Sequence, residues 1–404
     1  MNKKWFRTLF RRRMLIILLL IIQAGVLLYL ITSGSRLSHI ISNLLTVLSA
    51  LIALHIIAKR DKGAYKTTWV FLILLFPIFG GLLYLLFLFQ SPTRKMEMQL
   101  EKAEEKAAPL FFLPGSSREA AKQKLSSSFP QVRYLEDFVG FPVYEDTETH
   151  YYSPGEKMLE ALIPELEKAE RYIFLEFFIV QDGIMWGRIL DVLRQKAAHG
   201  VKVRLLYDDI GCFLILPSNY VKQLESFGIE CSVFNPFRPV LTVAQNNRDH
   251  RKIISIDGKV AFTGGINLAD EYINAIEKHG HWKDSAIMLR GKAAWSLTLM
   301  FLQMWEISTH TDEDYRQYYP WEDTPCSHFQ NGFVQPYADS PMDKENVGEH
   351  VYLQILNQAR DYVYINTPYL IVDDSMVSAL TLTAKRGLMS ESLRHIYGIS
   401  ALYI

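Results

Sequence analysis

Residues 14–31, 40–57 and 69–89 form three apolar runs that fill most of the first 90 positions of this 404-residue chain, and none contains Lys, Arg, Asp or Glu. Nothing else restricts the fold as strongly, because each run must be covered by lipid or by protein on every side. Each has about the ~20 residues a helix needs to cross a ~30 Å hydrocarbon core, and a single charge in that core would cost at least ~2.5 kcal/mol. The overall hydrophobic fraction, 49%, owes its excess mainly to these runs. No small-residue cleavage site follows the first run, and two more come after it, which argues against a signal peptide. Arg7, Arg11, Arg12 and Arg13 precede the first run, Lys59, Arg60, Lys62 and Lys66 separate the second from the third, and Arg36 alone separates the first from the second. This bias places the N-terminus and the 59–66 loop inside the cell. Pro77 and Gly80-Gly81 interrupt the third run, which then either crosses or turns back, so the side on which the remainder lies stays open. A multi-pass cell-membrane anchor of two or three helices is expected over residues 1–92.

Beyond the anchor the chain reads as α/β. Residues 94–108 alternate Lys and Glu at helical spacing, as in Glu97, Glu101 and Glu105 against Lys102 and Lys106, which predicts a solvated helix in a charged linker over 93–130. A first globular half is expected over 131–330. There residues 156–171 have helical apolar spacing through Met158, Leu159, Leu162 and Leu166, and 172–180 (YIFLEFFIV) suits a strand buried on both faces. Residues 186–198 return to helical spacing and end at Gly200, and 201–207 (VKVRLLY) is a second strand. The unit is βαβ, so a mixed sheet flanked by helices follows. The pattern restarts at 361–370 (DYVYINTPYL) and 375–385, with Arg386-Gly387 standing where His199-Gly200 stood. A second half is thus expected over 331–387. The tail 388–404 lacks strand alternation and is predicted to close no sheet. A reading-frame shift after Gly387 would restore a strand like 201–207, which suggests a frameshifted or truncated end.

The chemistry concentrates at 246–272, NNRDHRKIISIDGKVAFTGGINLADEY. His250, Lys252, Asp257, Gly264 and Gly265 fit HxKx4Dx6GG, a specific pattern for a short motif. In a strand running into 253–256, residues two apart face one side, so His250 and Lys252 project together. Asp257-Gly258 signals a tight hairpin, and Gly264-Gly265 allows close backbone approach to a bound group. A neutral imidazole can attack phosphorus to form a covalent intermediate. A nearby ammonium can offset the charge on nonbridging oxygens. The leaving alkoxide needs a proton donor, which a phosphorylated histidine cannot be. Asp257 either takes part in the site or only shapes the hairpin, and Asn267 either binds phosphate or caps a helix over 268–275. Asp208-Asp209-Ile210-Gly211 is a site candidate or an ordinary turn at a strand end. Lys278-His279-Gly280-His281 lacks further ligands for zinc, and Cys212, Cys231 and Cys326 form no metal pair or disulfide framework. No metal or cofactor is expected. Formal net charge is zero, so no global basic field argues for nucleic acid.

HRKIISIDGKVAFTGGINLADEY resembles the first HKD motif of bacterial cardiolipin synthases in the phospholipase D superfamily. WVFLILLFPIFGGLLYLLF, EFFIVQDG, LLYDDIG, HWKDSAI and INTPYLIVDD extend the likeness from about residue 40 to Gly387. The resemblance implies two α/β halves that each give one motif to a shared, metal-free site. It implies phosphatidyl transfer between two phosphatidylglycerol molecules, giving cardiolipin and glycerol through a phosphohistidine. His250 matches the nucleophile, Lys252 and Asp257 its catalytic partners, and Gly264, Gly265 and Asn267 the substrate-binding positions. The membrane phospholipids phosphatidylglycerol and cardiolipin would be its partners. By the same spacing the second histidine would fall near residue 437, and HxKx4D occurs once in the 404 residues, so the chain is expected to be inactive alone. Alternatives are a phospholipase D-type phosphodiesterase using water, a noncatalytic membrane fragment, and a homo-oligomer in which two copies each supply His250.

Overall fold

Residues Tyr172–Phe177 (β2) carry apolar side chains on both faces apart from Glu176, and the strand is buried along its whole length. The computed structural model describes residues 35–59, 63–76, 91–237, 243–278, 280–321, 332–340, 345–367, 371–387 and 389–392, with positions 21, 25, 28, 29, 32, 80, 81, 84, 85 and 342. Around β2 lie β1 (Thr147–Tyr152), β3 (Lys202–Asp208), β4 (Ile229–Phe234), β5 (Ile253–Ile256), β6 (Val260–Gly264) and β7 (Ala286–Gly291), in the order β1-β7-β6-β5-β2-β3-β4. β2, β3 and β4 run parallel, while β5, β6, β7 and β1 alternate. The expected mixed sheet is therefore present. The β5–β6 turn has Asp257 at φ 53° and Gly258 at φ 69°, the pair of positive angles that a tight hairpin matching strand twist requires.

Two layers cover the sheet. On one face α4 (Gly155–Glu167) and α5 (Ile184–Ala198) bring Leu159, Leu162, Ile189 and Leu193 onto Ile173, Leu175, Val203 and Leu205. On the other lies α6 (Lys292–Thr309), apolar nearly all round and buried accordingly. Its Phe301 ring stacks on Phe174 at 4.7 Å, and burial of such a side chain contributes about 1.5–3 kcal/mol. Thr298 and Ser255 share a hydrogen bond of 2.7 Å, which satisfies the hydroxyls that α6 brings against β5.

The helix predicted over 94–108 is present, and its solvated character is corrected on one face. The helix α3 (Ser91–Phe111) buries Leu100, Ala107, Leu110 and Phe111 in the same cluster as α6. Spacings of three and four residues put this small apolar stripe on one face, beneath the Lys/Glu alternation that suggested a fully wet helix. Lys106 Nζ donates to Glu306 Oε2 at 2.7 Å and to Asp312 Oδ1 at 2.6 Å.

The restart of the pattern is also seen. α7 (Val347–Gln358) precedes β8 (Tyr362–Ile365), α8 (Asp374–Lys385) and β9 (Met389–Ser392), with Leu356, Val363, Ala379 and Leu380 as a small core. The prediction that the tail closes no sheet is corrected, because β9 pairs parallel with β8, Tyr362 opposite Met389. The ladder uses backbone N–H and C=O groups, so four residues without apolar alternation can still form it. Position 388 and residues 393–404 of the expected aberrant tail lie outside the described residues.

Residues Met1–Lys95 and Phe237–Asn247 form a separate unit. Within it the second apolar run lies on α1 (Arg36–Ala58), and the third begins on α2 (Gly63–Leu75). Ile56, Ile73 and Tyr84 form a small buried cluster. Most of the first run lies outside the described residues. Among the described residues no helix is long and apolar enough to cross a membrane. At about 1.5 Å per residue, the 13 residues of α2 fall short of a ~30 Å core. The helix stops just before Pro77, consistent with proline's restriction of the preceding backbone.

Candidate active site

The topology gathers the C-terminal ends of β2, β3 and β6 and the N-terminal ends of β5 and β7 at one edge of the sheet. His250 and Lys252 enter β5 from this edge. Their side chains meet one ring, as predicted from their spacing. Phe178, just past β2, lies 4.8 Å from the His250 ring centroid, and the Lys252 ammonium lies 5.7 Å from the Phe178 centroid. His250 is exposed as a residue. Partial burial of its imidazole and the Lys252 charge hold its pKa below the ordinary 6.5, which favours the neutral free base at neutral pH.

Lys252 is 6% exposed and lines a small pocket with Phe177, Ile254, Phe262, Gly264 and Ile266. Its Nζ donates to the His250 carbonyl at 2.6 Å. Burial lowers its pKa from 10.5 to about 8, opposed by the negative charges of Asp249 and Asp284. A cation in that setting remains mostly charged at pH 7 and could attract an anion in a low-dielectric place, where the attraction counts most.

The two glycines act through close approach. A Cβ on Gly264 would collide with the Ser285 carbonyl, and one on Gly265 would collide with the Asp284 carboxylate. Gly265 N–H donates to Ser285 O at 3.0 Å. Asp284, which the motif reading did not single out, is thereby held beside the site. It accepts from Trp282 Nε1 at 3.1 Å.

Asp257 stands at the opposite end of β5 from Lys252. Its carboxylate accepts the backbone N–H groups of Glu170 at 2.8 Å, Arg171 at 2.8 Å and Tyr172 at 2.7 Å. Asn267 is buried between two protein partners. Its Oδ1 accepts from Ile179 N–H at 3.1 Å and its Nδ2 donates to Tyr272 Oη at 2.7 Å. The helix expected over 268–275 is only a short 3-10 turn, Asp270–Ile273. Asp270 instead caps α5, accepting from Ile184 N–H at 3.0 Å and Met185 N–H at 2.9 Å. That cap ties the loop after β6 to the helix after β2.

Asp208 resolves the Asp208-Asp209 alternative toward a turn with a second task. It accepts from Ile210 N–H at 2.8 Å, capping the turn, and from Asp249 N–H at 2.9 Å, fixing the backbone beside His250. On the opposite face from Lys252, Glu176, Asp249 and Arg251 form a buried cluster, with Arg251 Nη1 4.0 Å from Glu176 Oε1. Burial, reinforced by Asp249, pushes Glu176 well above the carboxylate range, and burial also raises Asp249. Two such facing carboxyls are stable with a proton between them. The signal was present as the single charge in YIFLEFFIV. Among the described residues no group of His, Cys, Asp or Glu could hold a metal ion.

A family profile described as "Cardiolipin synthase, PLD-like domain" matches residues 162–296, and one described as "Phospholipase D-nuclease N-terminal" matches residues 47–87. An uncharacterized protein of Streptococcus mutans serotype c is 46% identical over 79% of this chain and 69% of its own length. The cardiolipin synthase of Geobacillus thermodenitrificans is 32% identical over 91% of this chain and 74% of its own. Cardiolipin synthase 2 of Bacillus anthracis is 34% identical over 85% of this chain and 66% of its own. Among solved structures, phosphatidylserine synthase of Haemophilus influenzae aligns over 65% of each chain with a TM-score of 0.45 and 12% identity.

Proposed function

This chain belongs to the cardiolipin synthase family, phosphatidyltransferases of the phospholipase D type, and from that premise we propose that His250 is the nucleophile in phosphatidyl transfer between two phosphatidylglycerol molecules. The observation that carries this reading is the placing of the His250 imidazole and the Lys252 ammonium beside one ring, Phe178, at an open edge of the sheet. Neutral His250 attacks phosphorus, the phosphorus–oxygen bond to the head-group glycerol breaks, and Lys252 bears the charge of the nonbridging oxygens. The departing alkoxide takes a proton from a second acid group. The primary hydroxyl of another phosphatidylglycerol then attacks the phosphohistidine, its proton returning to the second group now acting as base, and the phosphorus–nitrogen bond breaks, giving cardiolipin and restoring the imidazole. HxKx4D occurs once in these 404 residues, so we assign that acid to a second motif outside them and propose that the chain alone does not turn over. Asp257 acts in this scheme by holding the β5–β6 hairpin to the start of β2, and Asn267 by holding the segment beside Phe178.

The apolar runs are read as a multi-pass anchor in the cell membrane. On α1, Leu44, Leu48, Leu51 and Leu54 are all more than half exposed, which suits a helix bathed in lipid. The test is to reconstitute the chain in phosphatidylglycerol vesicles, with and without the C-terminal part of the Geobacillus thermodenitrificans relative, and to follow products. Cardiolipin formed only with the added part, and lost in His250→Ala, supports the proposal. Phosphatidic acid in its place would make the chain a phosphodiesterase. Cardiolipin from the chain alone would overturn the assignment of the acid.

A further inference from the structure

The loop that follows β3 exposes a run of apolar side chains next to the nucleophile. Ile210 is 41% exposed, Phe213 49%, Leu214 91% and Ile215 38%. Exposed leucines are ordinary one at a time, but a contiguous apolar patch is not. The loop is also fixed to the site. Asp208 caps its first turn and holds Asp249 N–H beside His250. The Cys212 thiol contacts the Phe178 carbonyl at 3.6 Å, and Val180 N–H reaches Cys212 Sγ at 3.3 Å. A Cβ on Gly211 would strike the Phe178 carbonyl. Phe178 itself is the ring against which His250 rests. One layer of residues therefore separates the apolar tip from the imidazole.

We infer that this loop is an interfacial anchor, inserting Leu214 and Ile215 among the acyl chains of the bilayer that presents the substrate. The proposal rests on the functional reading given above, because it takes the substrate of His250 to be a lipid. Two features favour lipid over a protein partner. The side chains follow one another around a turn and so point in several directions, which suits an isotropic apolar medium better than a shaped groove. They also stand at the edge of the sheet from which His250 opens, where the medium holding the substrate must come close. An inserted apolar loop of this kind would bring the phosphodiester to the imidazole without removing the lipid from the bilayer.

The test uses the full chain in vesicles of phosphatidylglycerol and phosphatidylcholine. Leu214→Cys and, at the opposite edge of the sheet, His199→Cys are labelled with an environment-sensitive fluorophore and read as differences from the labelled wild-type chain. Lipids carrying a nitroxide near the head group should quench the label at 214 several-fold more strongly than the label at 199. Leu214→Asp, with the label moved to Ile215→Cys, should lower the quenched fraction about tenfold, in line with the transfer free energy of one leucine. Equal quenching at 214 and 199 would overturn the proposal. So would a blue-shifted label at 214 that nitroxide lipids do not reach, which would indicate a protein partner. No turnover enters the measurement, and His250→Ala should leave it unchanged. Insertion in a chain that makes no cardiolipin even when complemented would refute the functional reading alone, and cardiolipin synthesis without insertion would refute the anchor alone.

Discussion

Replacing Lys252 by Met should stabilise the domain at neutral pH while removing its chemistry. At ~1.4 kcal/mol per pH unit, lowering the ammonium from 10.5 to about 8 by burial costs about 3 kcal/mol whenever the group is charged in the folded state. Met would fill the same apolar pocket, formed by Phe177, Ile254 and Phe262, without that cost. It would forfeit the hydrogen bond to the His250 carbonyl, worth about 1 kcal/mol. The net expectation is a gain of about 2 kcal/mol at pH 7. The pH dependence identifies the cause. Between pH 8 and 10.5 the folded wild type has lost the Lys252 proton while the unfolded chain retains it, so wild-type stability rises with pH across that window. Lys252→Met lacks this rise, and its advantage should disappear by the top of the window. Denaturant unfolding of the detergent-solubilised chain, followed by tryptophan fluorescence at pH 7, 9 and 10.5, gives the difference directly, with other titrations cancelling. A difference that stays constant with pH, or a variant less stable at pH 7, would refute the reasoning. In the complemented assay the same variant should lose about 10²–10³-fold in turnover, the usual cost of removing one charge-stabilising donor.

Asp257→Ala should cost about 3 kcal/mol of stability, because three backbone N–H groups lose their acceptor and alanine is strained at φ 53°. If phosphohistidine formation vanished while the denaturation midpoint stayed unchanged, the carboxylate would belong to the chemistry. Gly265→Ala should displace the Asp284 carboxylate, and since that charge raises the Lys252 pKa, the alkaline limb of the complemented activity should move to lower pH. An unmoved limb with reduced activity would point to backbone damage alone. Glu176→Gln should gain stability relative to wild type as pH rises above about 4.3. The buried glutamate keeps its proton where the unfolded one has released it, so wild-type stability falls with pH and the amide's does not. A constant difference between pH 4 and pH 8 would refute the shared proton.

Much of this molecule can be read from local pattern. YIFLEFFIV announced a strand buried on both faces, the helical spacing over 186–198 announced most of α5, and Asp257-Gly258 announced a tight hairpin. The convergence of His250 and Lys252 follows from the two-residue repeat of a strand. Other features depended on neighbours far away in sequence. The stripe Leu100, Ala107, Leu110 is ambiguous until α6 is there to cover it. β9 has no apolar alternation and forms because β8 offers it a backbone ladder. Asn267 looked equally like a phosphate ligand or a helix cap, and its actual partners, Ile179 and Tyr272, come from contacts that spacing does not encode.

What the amino-acid order determined by itself is the HxKx4Dx6GG pattern of candidate site residues and the apolar character of the first 90 residues, because both depend on residue type and short-range period. What tertiary structure alone decided is which motif residues come together beside Phe178 at one edge of the sheet. His250 and Lys252 do, whereas Asp257 is turned to the far end of β5, where three N–H groups take up its charge. The lowering of the Lys252 pKa toward 8 and the raising of the Glu176 and Asp249 carboxyls were likewise decided by burial. Burial is a property of the packed sheet and its covering helices, and no window of sequence contains it.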